Sequence, residues 1–310
     1  MQFRQLRYFV RIVEAGSFSR AASVVHVAQP ALSQQVAELE ERLGVPLLSR
    51  SARGVRPTAA GKMLYKEASA ILHQLDQLPG VVRSSGAEPE GVVTLGIMAS
   101  LAPKLVAGIL EECRTNLPKV TIRVTDGDSL GLEHRIAAST LDIGILYEDE
   151  FLTPLMRKRL FTQKLFLVSG PPLPDRHNTI SLERIAGMPL VLPGPTHGRR
   201  RELIERMFAD AGLKPDVALE ADSLASEMWA VRNNVGCAIV PMGDMSHFGP
   251  GAFAKPILIE PAISTICSMV YSSDLPLTNA GEAVRDFLPS LIKRRVHQPD
   301  MPGVEWIATD

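Results

Sequence analysis

The chain has 310 residues, of which 45% are hydrophobic, and its formal net charge is −1 at pH 7. This length exceeds what one compact domain needs, so we expect two or three domains. There is no run of 18 apolar residues, which excludes a membrane-spanning helix. The charged N-terminus lacks the apolar core of a secretory signal, so we expect a cytoplasmic protein.

Cysteine and histidine spacing predicts neither a metal site nor a cofactor. Cys113, Cys237 and Cys267 are far apart and form no Cys-x-x-Cys pair, so we interpret them as buried apolar residues. The seven histidines form no His-x-x-x-His or His-Glu-x-x-His pattern. With no glycine-rich phosphate loop either, the sequence does not favour an enzyme.

Charge is distributed unevenly along the chain. Residues 1–62 carry a formal charge of +5, and the remainder carries −6. A basic head on an acidic body is typical of a protein that binds nucleic acid.

The first predicted helix spans residues 3–15. Its inner face is apolar and consists of Leu6, Phe9, Val10 and Val13. We expect Gly16 to end this helix and Ser17 or Ser19 to cap the next one. Small residues mark that short second helix: Ala21, Ala22 and Val25.

A third helix follows closely and opens with polar residues. Pro30 has no N–H and a fixed φ, so we place it at the first helical position, with Gln29 just outside. The helical period predicts a buried face made of Leu32, Val36, Leu39 and Leu43. On the opposite face, Ser33, Gln34 and Gln35 offer uncharged donors and acceptors of the kind that read base edges. Spacing alone fits helix-turn-helix and a plain helical hairpin equally well, and the basic charge favours the former.

The segment 50–57 is basic and contains glycine and proline. It predicts a hairpin wing whose arginines enter the minor groove, with a solvated basic loop as the alternative. Thr58 is placed to cap a long helix with an apolar seam at heptad spacing: Leu64, Ala68, Ile71, Leu75, Leu78 and Val82. Such a seam either packs on its own domain or pairs with a second copy of the chain. Pro79 and Gly80 predict a kink or an end near Leu78.

Beyond a polar hinge at 84–91, strands alternate with helices. The predicted strands are 92–97, 120–125, 141–147, 164–169, 190–192, 217–221, 236–241 and 265–272. The predicted helices are 102–113, 130–138, 199–211, 224–233 and 280–293. Two successive α/β units of similar size predict two lobes. Residues 296–310 form an irregular tail that Trp306 can dock.

Several motifs in this order resemble the N-terminal signature of LysR-type transcriptional regulators. They are Leu6-Arg7-Tyr8-Phe9, Gly16-Ser17-Phe18-Ser19-Arg20-Ala21-Ala22, Gln29-Pro30-Ala31-Leu32-Ser33-Gln34-Gln35, Leu39-Glu40, Leu43-Gly44-Val45-Pro46-Leu47-Leu48 and Thr58-Ala59-Ala60-Gly61. Leu141–Leu146 is similar to a strand of the family's effector domain. The run through Val24–Ala37 is most similar to the nitrogen assimilation control subgroup.

The resemblance implies a fold of three parts. These are an all-α winged helix-turn-helix at 1–58, a linker and dimerisation helix with hinge at 59–90, and a two-lobed α/β domain similar to type 2 periplasmic binding proteins at 91–295. Lobe I would comprise 91–162 and 265–295, and lobe II 163–264, followed by the tail at 296–310.

The resemblance also implies a DNA site. Gln29, Ser33 and Gln34 would face bases beside Pro30, and Arg53 would enter the minor groove. The candidates for phosphate contacts are Arg4, Arg20, Arg50 and Lys62. A homodimer or homotetramer would bind an interrupted palindrome in double-stranded DNA on the nucleoid. An activator of this kind would also contact RNA polymerase.

The family's effector positions fall on turns that follow strands. Here they are occupied by Ser100, Ser129, Thr196 and His197, where helix N-termini favour a small anionic effector. As alternatives, the hydroxyls are plain helix caps, and Asp128 would repel an anion. One arginine of Arg199–Arg201 can reach the cleft. Members of the nitrogen assimilation control subgroup can act without an effector, which is the alternative function. A solute-binding protein for transport is a third and remote alternative function, because the basic N-terminal segment does not fit it.

Overall fold

The computed structural model describes residues 1–51, 54–83, 88–148, 155–173, 178–194, 198–241, 251–273, 275–297 and 301–307. The chain divides into two compact units. One is Met1–Arg83, and the other holds nearly all of Ser84–Asp310. None of the helices in the described ranges is long and apolar enough to cross a membrane.

The N-terminal unit consists of four helices and a hairpin. They are α1 (Phe3–Ala15), α2 (Phe18–Val25), α3 (Gln29–Leu43), β1 (Leu48–Ser51), β2 (Gly54–Pro57) and α4 (Ala59–Arg83). As predicted, Gly16 ends α1 in the left-handed region with φ 60°. Of the two candidate caps for α2, Ser17 is the one used, because its Oγ accepts from the Arg20 N–H at 3.5 Å.

The core of this unit forms where α1, α2 and α3 meet. Leu32, Val36 and Leu39 of α3 are fully buried, as predicted, against Phe9 and Ile12 of α1. The prediction for Leu43 is wrong, because this side chain is 41% exposed. Leu43 is the last residue of α3, and Gly44 turns the chain away in the left-handed region before the apolar face is completed.

Two side chains tie the hairpin to the helices. Glu40 Oε1 accepts from the N–H groups of Leu47 at 2.7 Å and Leu48 at 3.0 Å. Thr58 caps α4 as predicted, because its Oγ1 accepts from the Gly61 N–H at 3.0 Å and donates to the Pro46 carbonyl at 2.7 Å. The start of α4 therefore lies directly against the residues that enter β1.

The apolar seam of α4 is partly buried and partly exposed. Leu64, Ala68 and Leu75 pack on the core of their own unit, together with Leu72. Three other seam residues are exposed: Ile71 at 38%, Leu78 at 51% and Val82 at 75%. Of the two predicted outcomes near Leu78, a kink or an end, the end is wrong, since α4 continues through Pro79, which is itself exposed, to Arg83.

The C-terminal unit has the predicted alternation. Its strands are β3 (Gly91–Met98), β4 (Val120–Gly127), β5 (Ile143–Glu148), β6 (Leu155–Val168), β7 (Thr179–Ser181), β8 (Pro189–Pro193), β9 (Asp216–Ala221), β10 (Ala238–Pro241), β11 (Ile257–Glu260), β12 (Ser264–Ser272) and β13 (Val304–Trp306). Its helices are α5 (Ala102–Asn116), α6 (Ser129–Ala137), α7 (Leu182–Ala186), α8 (Gly198–Asp210), α9 (Leu224–Arg232) and α10 (Asn279–Val296).

The long strand β6 connects two lobes. Strands pair in the order β4-β3-β5-β12-β6-β11-β7, with β10 and β13 also on β6, while β8 and β9 form a separate parallel pair. Lobe I has its core between α5, α10 and strands β3, β5 and β12. Lobe II has its core around α8 and strands β8 and β10. Partners change along β6, because β12 pairs as far as Lys164 and β10 begins at Leu165.

Several short elements were not predicted: β7, α7, β11, β13 and the first half of β6. That half contains Met156–Arg159, whose exposed charges hide the strand pattern. The C-terminal tail is not wholly irregular, because β13 pairs with Phe161–Gln163 of β6. Trp306 docks the tail, as the sequence suggested, by stacking on Phe161 with ring centroids 6.5 Å apart.

Candidate functional site

The start of α3 presents an exposed polar surface. Gln29 and Pro30 are both exposed in its first turn. The helix begins at Gln29, after Ala28 as N-cap, so Pro30 occupies the second position rather than the first. At this position the missing N–H of Pro30 costs no hydrogen bond, because the first four N–H groups of a helix have no intrahelical partner.

One turn further, the polar row is held in place by Glu38. Gln34 Nε2 donates to Glu38 Oε1 at 3.0 Å, and Gln35 Nε2 donates to Glu38 Oε2 at 3.0 Å. Gln34 is exposed, whereas Ser33 and Gln35 are half-buried. The carboxylate thus fixes the glutamine amides, and the Gln34 carbonyl oxygen remains available as an acceptor.

Arg50 connects the wing strand β1 to this row. Its Nη2 donates to Ser33 Oγ at 3.1 Å, and its guanidinium lies 4.3 Å from the centre of the Phe18 ring. A cation stacked on an aromatic ring and bonded to a hydroxyl has little freedom left to lose on binding. Arg50 is therefore a pre-ordered positive charge beside the reading helix.

The other predicted DNA contacts are less constrained. Arg4, Arg20 and Lys62 are exposed. Arg53, predicted to enter the minor groove, lies outside the described residues. The base of the wing is fixed on α1, because the Val55 N–H donates to the Gly16 carbonyl at 3.0 Å.

The second site is a cleft of about 580 Å³ within the C-terminal unit. Lobe I lines it with the carboxyl ends of β3, β4 and β5, and lobe II with the N-terminal parts of α8 and α9. Ligands of α/β proteins bind at this edge of the sheet. Ser100 and Ser129 both line the cleft. Thr196 and His197 lie outside the described residues.

Ser100 is not a helix cap. The side chain is only 3% exposed, and its hydroxyl has no hydrogen-bond partner among the described residues. The N-cap of α5 is Leu101, without a side-chain bond. A buried hydroxyl with no partner costs free energy unless a ligand or water satisfies it, so Ser100 is prepared to bind one.

Ser129 is occupied by protein contacts instead. Its Oγ donates to Met98 Sδ at 2.9 Å and accepts from the Tyr147 N–H at 3.2 Å. Asp128 caps α6, because Oδ1 accepts from the Gly131 N–H at 2.9 Å. Residues Gly127–Gly131 also match the Gly-x-Ser-x-Gly elbow of hydrolases. In the described part of the chain, Ser129 is bonded to a thioether and a backbone amide and not to a base that could activate it.

Two ion pairs in the cleft could not be predicted. Arg200 donates to Glu227 through both terminal guanidinium nitrogens, Nη1 to Oε1 at 2.8 Å and Nη2 to Oε2. Its Nη1 also donates to the Ile239 carbonyl at 3.1 Å. Arg159 Nε lies 2.9 Å from Glu148 Oε2, and Ser268 Oγ donates to Glu148 Oε1 at 2.7 Å. One arginine of the 199–201 run does line the cleft, as expected, and it is Arg200.

The three cysteines are buried, as predicted. Burial, with Glu112 nearby, raises the pKa of Cys113 to about 11. Burial also raises the pKa of Cys237, and it raises that of Cys267 well above the ordinary value, with Glu148 adding to the shift. Because the thiolate is the reactive form, these side chains behave as packed apolar groups.

Two family models match the chain. The bacterial regulatory helix-turn-helix protein, lysR family, matches residues 3–62. The LysR substrate binding domain matches residues 86–292. The nitrogen assimilation regulatory protein nac of Escherichia coli (strain K12) is 33% identical over 99% of both chains. The protein of the same name from Klebsiella aerogenes is 32% identical over 95% of this chain and 96% of its own length.

Solved structures show the same fold. A full-length cysteine variant of OxyR from Pseudomonas aeruginosa aligns with a TM-score of 0.67 at 20% identity and covers 100% of this chain and 99% of its own. Full-length CbnR in complex with its target DNA aligns with a TM-score of 0.64 at 22% identity, over 95% and 100% of the two chains.

Proposed function

Because this chain belongs to the LysR family of transcriptional regulators, we propose that α3 and the wing select its operator and that a small molecule in the cleft governs its activity. The chain is a DNA-binding regulator and not an enzyme. The pre-ordered Arg50 beside the polar row of α3 is the observation that supports this assignment of the DNA surface.

On this proposal, bases are read by Gln29, Ser33 and Gln34, and Arg53 enters the minor groove. Arg4, Arg20, Arg50 and Lys62 contact phosphates. The exposed apolar residues Ile71, Leu78 and Val82 of α4 pair with a second copy, which places two reading helices on an interrupted palindrome. The dimer, or a tetramer built from it, acts on the nucleoid and contacts RNA polymerase where it activates.

The two kinds of DNA contact should respond differently to substitution. We expect Gln34→Ala to relax preference at one base position by about 1–3 kcal/mol. We expect Arg50→Ala to weaken binding to every sequence alike and to reduce the salt slope by about one unit. Fluorescence anisotropy over a salt series measures both, with duplexes selected from a random pool and single-base variants of them.

Arg285→Ala is the matched control, because this arginine is on α10 in the C-terminal unit and pairs with Asp286 and Glu282. Its DNA affinity and salt slope should equal those of the unmodified chain. Equal loss of affinity on all sequences for both the Gln34 and Arg50 variants would show that α3 does not read bases.

The unpartnered hydroxyl of Ser100 supports control by a ligand in the cleft. A ligand at about a hundred times its dissociation constant should stabilise the folded chain by about 2.7 kcal/mol. Thermal unfolding of the full chain with a panel of small molecules measures this shift, and Ser100→Ala should reduce it. If no compound shifts the transition, control by a ligand is wrong, and the effector-independent alternative of the nitrogen assimilation type replaces it.

A further inference from the structure

The described lining of the cleft carries more carboxylates than guanidinium groups. Its five carboxylates belong to Asp126, Asp128, Glu148, Asp222 and Glu227. Three guanidinium groups stand against them, from Arg159, Arg200 and Arg206. The described lining thus has an excess of two negative charges, which is the reverse of what an anion-binding site needs.

The guanidinium groups of the described lining also have contacts within the protein. Arg200 is held by both oxygens of Glu227, and Arg159 by Glu148. Arg206 likewise has an interaction within the structure. A ligand carboxylate would have to compete with Glu227 for Arg200, whereas Arg159 engages Glu148 through Nε alone.

The negative charge lies beside the unpartnered hydroxyl. Strands β3 and β4 are parallel neighbours with Ile97 opposite Asp126 and Met98 opposite Gly127. The next residue along β3 continues the contact, because the Ala99 N–H donates to the Gly127 carbonyl at 3.0 Å. Ser100 and the Asp126–Asp128 segment therefore leave the sheet side by side at its carboxyl edge.

These groups are all able to accept hydrogen bonds. Asp126 is exposed to the cleft and forms no ion pair with another described residue. Asp128 uses Oδ1 on the Gly131 N–H, and the Ser100 oxygen is unsatisfied. A protonated amine supplies three donors and a positive charge, which matches one hydroxyl and two carboxylates that line the same cleft.

We propose that the ligand of this cleft carries a protonated primary amino group, which binds to Asp126 and Asp128 with Ser100 completing its hydrogen bonds. The proposal rests on the proposed ligand control and gives the chemical class of that ligand. A carboxylate elsewhere on the molecule is compatible with it, as in an amino acid, whereas a plain carboxylate without an amine is not.

The test uses the full chain and matched pairs of compounds that differ only in the amine. Each amino acid is compared with the same carboxylate lacking the amino group, and each diamine with the corresponding diol. Thermal unfolding and calorimetric titration should detect binding of amine-bearing members only. Asp126→Asn should weaken that binding at least tenfold, because the amide keeps the shape but loses the charge.

Asp216→Asn is the matched control, because this carboxylate is exposed on β9 and does not line the cleft. Unchanged tryptophan fluorescence verifies that the C-terminal unit of the Asp126 variant is folded, because both tryptophans belong to that unit. Binding of plain carboxylates that persists in Asp126→Asn and disappears in Ser100→Ala would overturn the proposal that the ligand carries an amino group. It would leave control by a ligand intact. Absence of binding by every compound would overturn both.

Discussion

Replacing Glu227 by alanine is expected to lower the free energy of unfolding of the C-terminal unit by about 3–5 kcal/mol. The Glu227 side chain is 1% exposed and that of Arg200 is 22% exposed. Removing the carboxylate leaves a largely buried guanidinium that still donates to the Ile239 carbonyl. Breaking a buried pair costs much more than the pair itself contributes, because the surviving charge stays desolvated.

Urea unfolding followed by tryptophan fluorescence measures this effect. The two tryptophans, Trp229 and Trp306, both belong to the C-terminal unit, so the signal reports on that unit. Glu282→Ala is the matched control, because its pair with Arg285 spans 3.5 Å with Glu282 53% exposed. We expect the control to change stability by less than about 1 kcal/mol.

A double variant separates the cost of leaving a buried charge unpaired from the stability that the ion pair itself contributes. Arg200→Met with Glu227→Leu removes both charges and should recover much of the stability that Glu227→Ala loses. A loss for Glu227→Ala no larger than that of Glu282→Ala would contradict a buried pair at this position.

Gly61→Ala is expected to destabilise the N-terminal unit by about 3 kcal/mol or more and to abolish DNA binding at physiological temperature. A Cβ at this position would lie 2.0 Å from the Leu47 carbonyl oxygen. That oxygen cannot move away freely, because it accepts from the Thr58 N–H at 2.9 Å. The substitution would therefore separate α4 from the entry to the wing.

Amide hydrogen exchange across α1–α3 measures the loss of protection in this unit without relying on tryptophan. Gly187→Ala serves as control, because a Cβ there meets its nearest atom, the Arg184 carbonyl oxygen, at an ordinary 3.7 Å. Wild-type protection and DNA affinity in Gly61→Ala would show that α4 does not approach the wing this closely.

Local sequence patterns predicted the N-terminal unit in most details. The apolar period predicted the buried face of α3. Backbone and capping chemistry predicted that Gly16 ends α1, that Ser17 or Ser19 caps α2 and that Thr58 caps α4. The errors concern positions where a second effect overrides the pattern. Leu43 continues the period but precedes the turn at Gly44, and Pro79 disfavours a helix that nevertheless continues to Arg83.

The cleft was predicted only in outline. Turns after strands can be recognised from sequence, which is why Ser100 was identified. That its hydroxyl has no hydrogen-bond partner could not be predicted, because hydrogen bonds of a side chain depend on residues that are near in space and not in sequence. The pair of Arg200 and Glu227 joins residues 27 positions apart on different helices, and no local pattern connects them. Likewise β13 is three residues long and acquires its conformation from β6.

The contact between Arg50 and Ser33 has a consequence for how operator preference can evolve. Ser33 is proposed to read a base, and the same oxygen orders a guanidinium proposed to hold the backbone. A substitution at Ser33 that alters sequence preference would therefore also release Arg50 and weaken affinity for all DNA. Drift toward a new operator at this position needs a compensating change in the wing. Gln34 can vary alone, because its bond within the described residues is to Glu38 of its own helix.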